Sequence, residues 1–215
     1  MKIWSGELAL RATWWLSSRA SRRLVAGVKV RALTQYGPEE ESRFLNTVAR
    51  ALELVRDVDI GRFLALRNGF SGVLISEFVH GPVGFYSFDT HLCIIHPRYL
   101  DHGAGASDVA ATLVHEVMHA RIYAAGIRSV RWQERVEKLC ISAEIAFARK
   151  LQDRRIETEA RSRWASVAEL YSEKSLLEAD LRGVEEWKGF RWIQRSMLRR
   201  LERRRREVAE RAPGK

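Results

Sequence analysis

Apolar residues recur at three- and four-residue steps through two stretches of this 215-residue chain. In the first, Val109, Leu113, Val117 and Ala120 line one face and Tyr123 extends it. Ser107 or Asp108 stands where a cap is needed, and Gly126 stands where the helix should stop. In the second, from about 131 to 151, Val136, Leu139, Cys140, Ala143, Phe147 and Leu151 repeat the spacing and predict a helix that packs on the first. Upstream, residues 84–96 have the aromatic and β-branched content of one or two short strands, closed by Pro97. Residues 152–181 predict a further helix rich in Glu, Arg and Ala, with Trp164, Val167, Leu170, Tyr171, Leu177 and Leu181 as its stripe; Gly183 and Gly189 break the pattern beyond it. The expected class is α+β, predominantly helical, with a short sheet beside the first helix.

Composition sets the scale. With 46% hydrophobic residues the chain can bury a core of its own, as one domain with extensions. The formal charge of +10 is concentrated at the two ends: residues 182–215 carry a net +7 and residues 1–33 a net +6, so the middle has a slight acidic excess. This divides the chain into a basic, Trp-rich segment (1–33), a central domain (34–151) and a helical extension with a basic end (152–215). Ile3, Trp4, Leu8, Leu10, Trp14, Trp15, Leu16, Leu24 and Val25 alternate with Arg11, Arg19, Arg22 and Arg23, a pattern able to lie on an anionic membrane surface, although packing of the tryptophans in a core or a dimer is the preferred reading. The run Arg199–Arg206 could hold nucleic-acid phosphate, but no base-reading motif accompanies it, and a solvated basic helix accounts for it. No apolar run reaches membrane-spanning length, and the tract Ala12–Leu16 is too short for an export-signal core. Cys93 and Cys140 are too few for a disulfide framework. The expectation is a cytoplasmic protein, peripheral at the membrane at most.

The chemistry is concentrated in His115-Glu116-Val117-Met118-His119. At 3.6 residues per turn the two imidazoles stand one above the other, so both can reach one metal ion about 2.0–2.1 Å away. Glu116 then flanks a metal-held water, whose pKa zinc lowers toward roughly 7, and can take its proton. The motif sits inside the first predicted helix, where this chemistry needs it.

A catalytic zinc needs a third protein ligand and an open position. No histidine follows His119, so a carboxylate is the expected donor, and the second helix offers Glu134, Glu137 and Glu144 on one stripe. Glu137 is preferred, because the small Cys140 three residues on allows a close approach to the metal. Cys140 could itself ligate, though a small residue on a packed helix is more often simply buried. His91, His96 and His102 are candidates for substrate or transition-state contacts.

The set His115, Glu116, His119 and Glu137, with Cys140 as the small residue, resembles the gluzincin metallopeptidases over residues 85–151. That family pairs HExxH with a Glu-bearing helix about twenty residues on. The resemblance implies a zincin-like core with one Zn²⁺, Glu116 as general base and a peptide substrate, as in small bacterial proteins that carry the metal core without a specificity domain. Where many gluzincins have an Asp after the small residue this chain has Ile141, so Glu144 or a backbone carbonyl is expected to orient a zinc imidazole. A strand beside the cleft would bind extended peptide by main-chain pairing, a role that suits residues 91–96. The alternatives are a catalytically silent, metal-stabilised protein that binds membrane or nucleic acid through its basic ends, and a helical protein without metal.

Overall fold

The computed structural model describes residues 22–77, 83–127, 133–170, 202–203 and 206. It is an α+β structure. Strands β1 (Arg22–Val25) and β2 (Val28–Ala32) form a hairpin, followed by helices α1 (Pro38–Val58) and α2 (Ile60–Gly69). Then come β3 (Gly72–Ile75), β4 (Gly84–Ser87), β5 (Leu92–Ile95), the short α3 (Pro97–Asp101), α4 (Ala106–Ala124), α5 (Gln133–Leu151) and α6 (Arg154–Leu170). The sheet order is β1-β2-β3-β5-β4, with β2, β3 and β5 parallel and both outer pairs antiparallel. Contacts divide the chain into Met1–Trp164, which holds every strand and α1–α5, and Ala165–Lys215. No helix among the described residues is long and apolar enough to cross a membrane.

Each element follows from local chemistry. Pro38 opens α1, where a missing N–H costs nothing, and Glu39, Glu40 and Glu41 meet the positive end of its dipole. Asp59 caps α2 by accepting the Arg62 N–H, and its carboxylate also receives Lys150 Nζ at 2.6 Å, tying α2 to α5. The β2-to-β3 connection runs through α1 and α2, because parallel neighbours cannot be joined by a tight turn. Strands β3 and β5 read GVLI and LCII and are buried on both faces, as expected of covered parallel strands. Val73, Ile75, Cys93 and Ile95 join the main core with the helices; Leu74, Leu92 and Ile94 form a second cluster with Phe85 on the other face.

Several expectations need correction. The boundary drawn at residue 33 cuts through the sheet, since residues 22–32 supply two of its strands. Residues 1–21, with their tryptophans, and most of the basic C-terminal run lie outside the described residues. Helix α4 starts at Ala106, with Gly105 at the cap; Asp108 instead accepts the Gly105 N–H at 2.9 Å from inside the first turn. Gly126 does end it, at φ +82, a conformation that side chains disfavour. Leu139, placed on the buried stripe of α5, is 53% exposed, because burial follows Val136, Cys140, Ala143 and Phe147 instead. Residues 91–96 are no cleft edge: β5 is paired on both sides, and the edge strand is β4.

That edge strand lies hard against α4. A Cβ on Gly84 would stand 2.7 Å from Thr112 Cγ2 and 3.2 Å from Ile95 Cδ1, so only glycine permits the approach. Gly84→Ala should cost about 1–3 kcal/mol, the usual range for overpacking. Urea denaturation would show this as a lower midpoint, and adding Thr112→Ser, which removes the obstructing methyl, should recover part of the loss. No recovery would mean that the strand is held off α4 by something else.

Candidate metal centre

The interior of α4 carries His115, Glu116 and His119, and α5 packs against it carrying Glu137, Cys140 and Glu144. The two Nε2 atoms face each other at 3.1 Å. Glu137 straddles them, with Oε2 3.3 Å from His115 Nε2 and Oε1 3.2 Å from His119 Nε2. Ligand atoms about 2.0–2.1 Å from a tetrahedral metal are separated by ~3.3 Å. Each of these contacts is of ligand-to-ligand length, with a different oxygen of Glu137 on each imidazole, so the two ring nitrogens and the carboxylate edge border one small space. Cys140 is also close: one ligand atom each from His115, His119 and Cys140 lie within 4.8 Å of one another, a group able to hold a metal ion.

Charge separates the two third-ligand candidates. Burial works against an ionised Glu137, but its bonds to His115 and His119 outweigh that and hold the carboxyl well below the usual range. Burial pushes the Cys140 thiol far up, and Glu137, Glu116 and Glu144 push it further. Without a metal, Glu137 is already charged, whereas Cys140 is a neutral thiol that would give up its proton on binding one.

Around these donors the centre is held by further contacts. Glu144, 2% exposed, places Oε1 2.5 Å from His115 Nδ1, so the ring's outer nitrogen can donate to it. The guanidinium of Arg163, on α6, donates to both oxygens of the same carboxylate. Arg155, two turns earlier, reaches Asp108 Oδ1 on α4 at 2.5 Å and ties α6 to that helix. His119 Nδ1 is buried with no hydrogen-bond partner among the described residues. Its ring is instead stacked on Tyr123, with centroids 6.1 Å apart. Glu116 is 5% exposed; burial raises its pKa, the two imidazoles pull it back, and the Tyr86 backbone N–H of β4 donates to it.

Of the residues singled out in the sequence, His115, Glu116, His119, Glu137, Cys140 and Glu144 are brought together here. Glu134 is not: it pairs with Lys138 at 2.7 Å and is 45% exposed. His96 accepts the Arg98 N–H at the start of α3, and His102 is the exposed residue that ends that helix. His91 lies in the β4–β5 turn, its Nδ1 2.6 Å from the Tyr86 hydroxyl. The residues not singled out are Arg163 and Tyr86. Arg163 had no local signal, being one of many arginines nineteen or more residues from anything it serves. Comparison with known proteins finds no family model, no curated protein and no solved structure that matches this chain.

In the metal-free protein, burial opposes a charged His115, but hydrogen bonds to Glu137 and Glu144 raise its pKa from 6.5 to about 10. The stability it contributes is therefore fully present below pH 6.5 and lost as pH rises through about 10. Glu137 contributes above its ordinary value of 4.5, and that contribution is lost as pH falls. Thermal denaturation of chelator-treated protein should show a melting temperature that falls above pH 6.5, and His115→Gln should flatten that limb. A second expectation concerns the supporting carboxylate: Glu144→Gln should weaken metal binding roughly 10- to 100-fold, with a smaller loss for Arg163→Met. Competition with a chromophoric chelator measures both, and unchanged affinity in Glu144→Gln would deny it any part in orienting His115.

Proposed function

We propose that this chain is a zinc-dependent hydrolase of peptide or related amide bonds, with a zincin-like core and a gluzincin donor set. The observation that carries this reading is the meeting of the His115 and His119 Nε2 atoms with each other and with the Glu137 carboxylate at 3.1–3.3 Å, with the buried Glu116 carboxylate in the same helix turn. Two imidazoles and a carboxylate suit a catalytic zinc, and His115 is supported from behind by Glu144. Held by these residues, zinc would supply Lewis acidity toward a carbonyl oxygen and a water.

The chain's own residues account for the rest. Glu116, its proton affinity raised by burial, accepts a proton from the attacking water and can return it to the leaving amine. The Tyr86 N–H holds that carboxylate in register with β4. Because Val83 accepts the His96 N–H, alternation along the antiparallel pair turns the backbone groups of Gly84 and Tyr86 away from β5. These outward groups face α4, where the Tyr86 N–H is the one taken by Glu116.

Elemental analysis of protein purified without a histidine tag should find one zinc per chain, lost in His115→Ala and in Glu137→Ala. Glu116→Gln should keep the metal and lower hydrolysis of a quenched-fluorescent peptide library by roughly 10²- to 10⁴-fold. Undiminished cleavage by that variant would defeat the assigned base, and zinc-free wild type after reconstitution would defeat the site.

A further inference from the structure

The face of the α4–α5 pair turned away from the metal donors carries an open cavity of about 770 Å³, a size within the roughly 300–1,000 Å³ of ligand sites. On α5 it is bordered by Leu139, Ser142, Ala143 and Lys150. At 3.6 residues per turn these stand roughly half a turn around the helix from Glu137, Cys140 and Glu144. Helix α4 contributes Met118 and Arg121, and α2 contributes Arg62 and Ala65, with Asp59 at its cap. The body of α5 thus separates this cavity from the donors.

Its lining is divided by chemistry. Met118, Leu139, Ala65 and Ala143 give an apolar floor, and Leu139 is 53% exposed, a large side chain left facing the space. At one end Asp59 receives both Arg62 Nη1 at 2.5 Å and Lys150 Nζ at 2.6 Å, so two cations share one carboxylate and one positive charge is left over. Arg121 is the third cation; it is exposed and has no carboxylate partner among the described residues. His115 meets Glu144 while His119 meets Glu137, so α4 and α5 run antiparallel and Arg121 lies toward the Leu139 end. Lys150, eleven residues beyond Leu139, is about 16 Å further along the helix at 1.5 Å per residue. Unbalanced positive charge therefore stands at both ends of the apolar floor.

We propose that this cavity binds an extended acidic peptide segment in which two carboxylates flank an apolar residue, one carboxylate meeting Arg121 and the other Lys150 and Arg62. In an extended chain residues i, i+2 and i+4 share a face and span about 13 Å, so two acidic side chains reach the two ends while the residue between them covers Leu139 and Met118. A chain of formal charge +10 attracts anions over its whole surface; the apolar floor between the cations is what distinguishes this place. The site needs no metal, and it stands or falls independently of the hydrolytic reading.

The test is fluorescence polarisation of fluorescein-labelled Gly-Glu-Ser-Leu-Ser-Glu-Gly titrated with the full chain. Replacing the leucine of the peptide by serine, at constant charge, should weaken binding roughly 3- to 10-fold. Arg121→Gln and Lys150→Gln, the latter keeping a donor for Asp59, should each weaken it roughly 2- to 5-fold. Leu139→Ser, at an exposed position, should bring the ratio between the leucine and serine peptides toward one. Arg50→Gln removes the same charge from an exposed position on α1 outside the cavity lining and should leave the affinity unchanged. Equal losses in Arg50→Gln and Arg121→Gln, or equal affinities for the two peptides in wild type, would overturn the site and leave only the general attraction of a basic chain for anions. Absence of binding by wild type would overturn it as well.

Discussion

The packing of α5 against α4 is the constraint on which the rest of this molecule depends, because it brings Glu116, Glu137 and Glu144 into one buried volume. Carboxylates in such a place are expensive unless each meets a cation or a donor. The protein meets the demand in layers: Arg163 serves Glu144, the imidazoles serve Glu137, and a backbone N–H serves Glu116. Without a metal, a proton on His115, held there above its ordinary affinity, offsets part of the negative charge that remains. A divalent ion between these side chains would take over from that proton and add a further unit of positive charge.

The surrounding fold keeps this volume in shape. Asp59 links α2 to α5, Arg155 links α6 to α4, and Gly84 lets β4 settle against α4. Glu116 is consequently held by a helix on one side and a strand on the other.

How much of this could be read from the residues depends on the range of each interaction. The two helices, their shared apolar faces and the i, i+4 imidazoles were legible because helical periodicity is a local property. Glu137 was legible through the small Cys140 one turn on, which predicts a close approach, and Glu144 through the need to orient an imidazole. Glu134 stayed an alternative on the same stripe until the side of α5 that faces α4 was known, and Lys138 claims that carboxylate at the surface. Strand order was not legible either: LCII and GFYS are both apolar, and only pairing with β3, remote in sequence, makes the first interior and leaves the second at the edge. Arg163 stands among so many arginines that no spacing distinguishes it; its role exists only once α6 lies beside α5.

Tyr86 shows what such an arrangement entails for change. Its backbone sets the environment of Glu116, and its ring stacks on Tyr123, which stacks on His119. A substitution or insertion that shifts this stretch of β4 moves both at once. The setting of that carboxylate and the aromatic packing around His119 are therefore mechanically geared, and a change in the β4–β5 turn that displaces one carries the other with it.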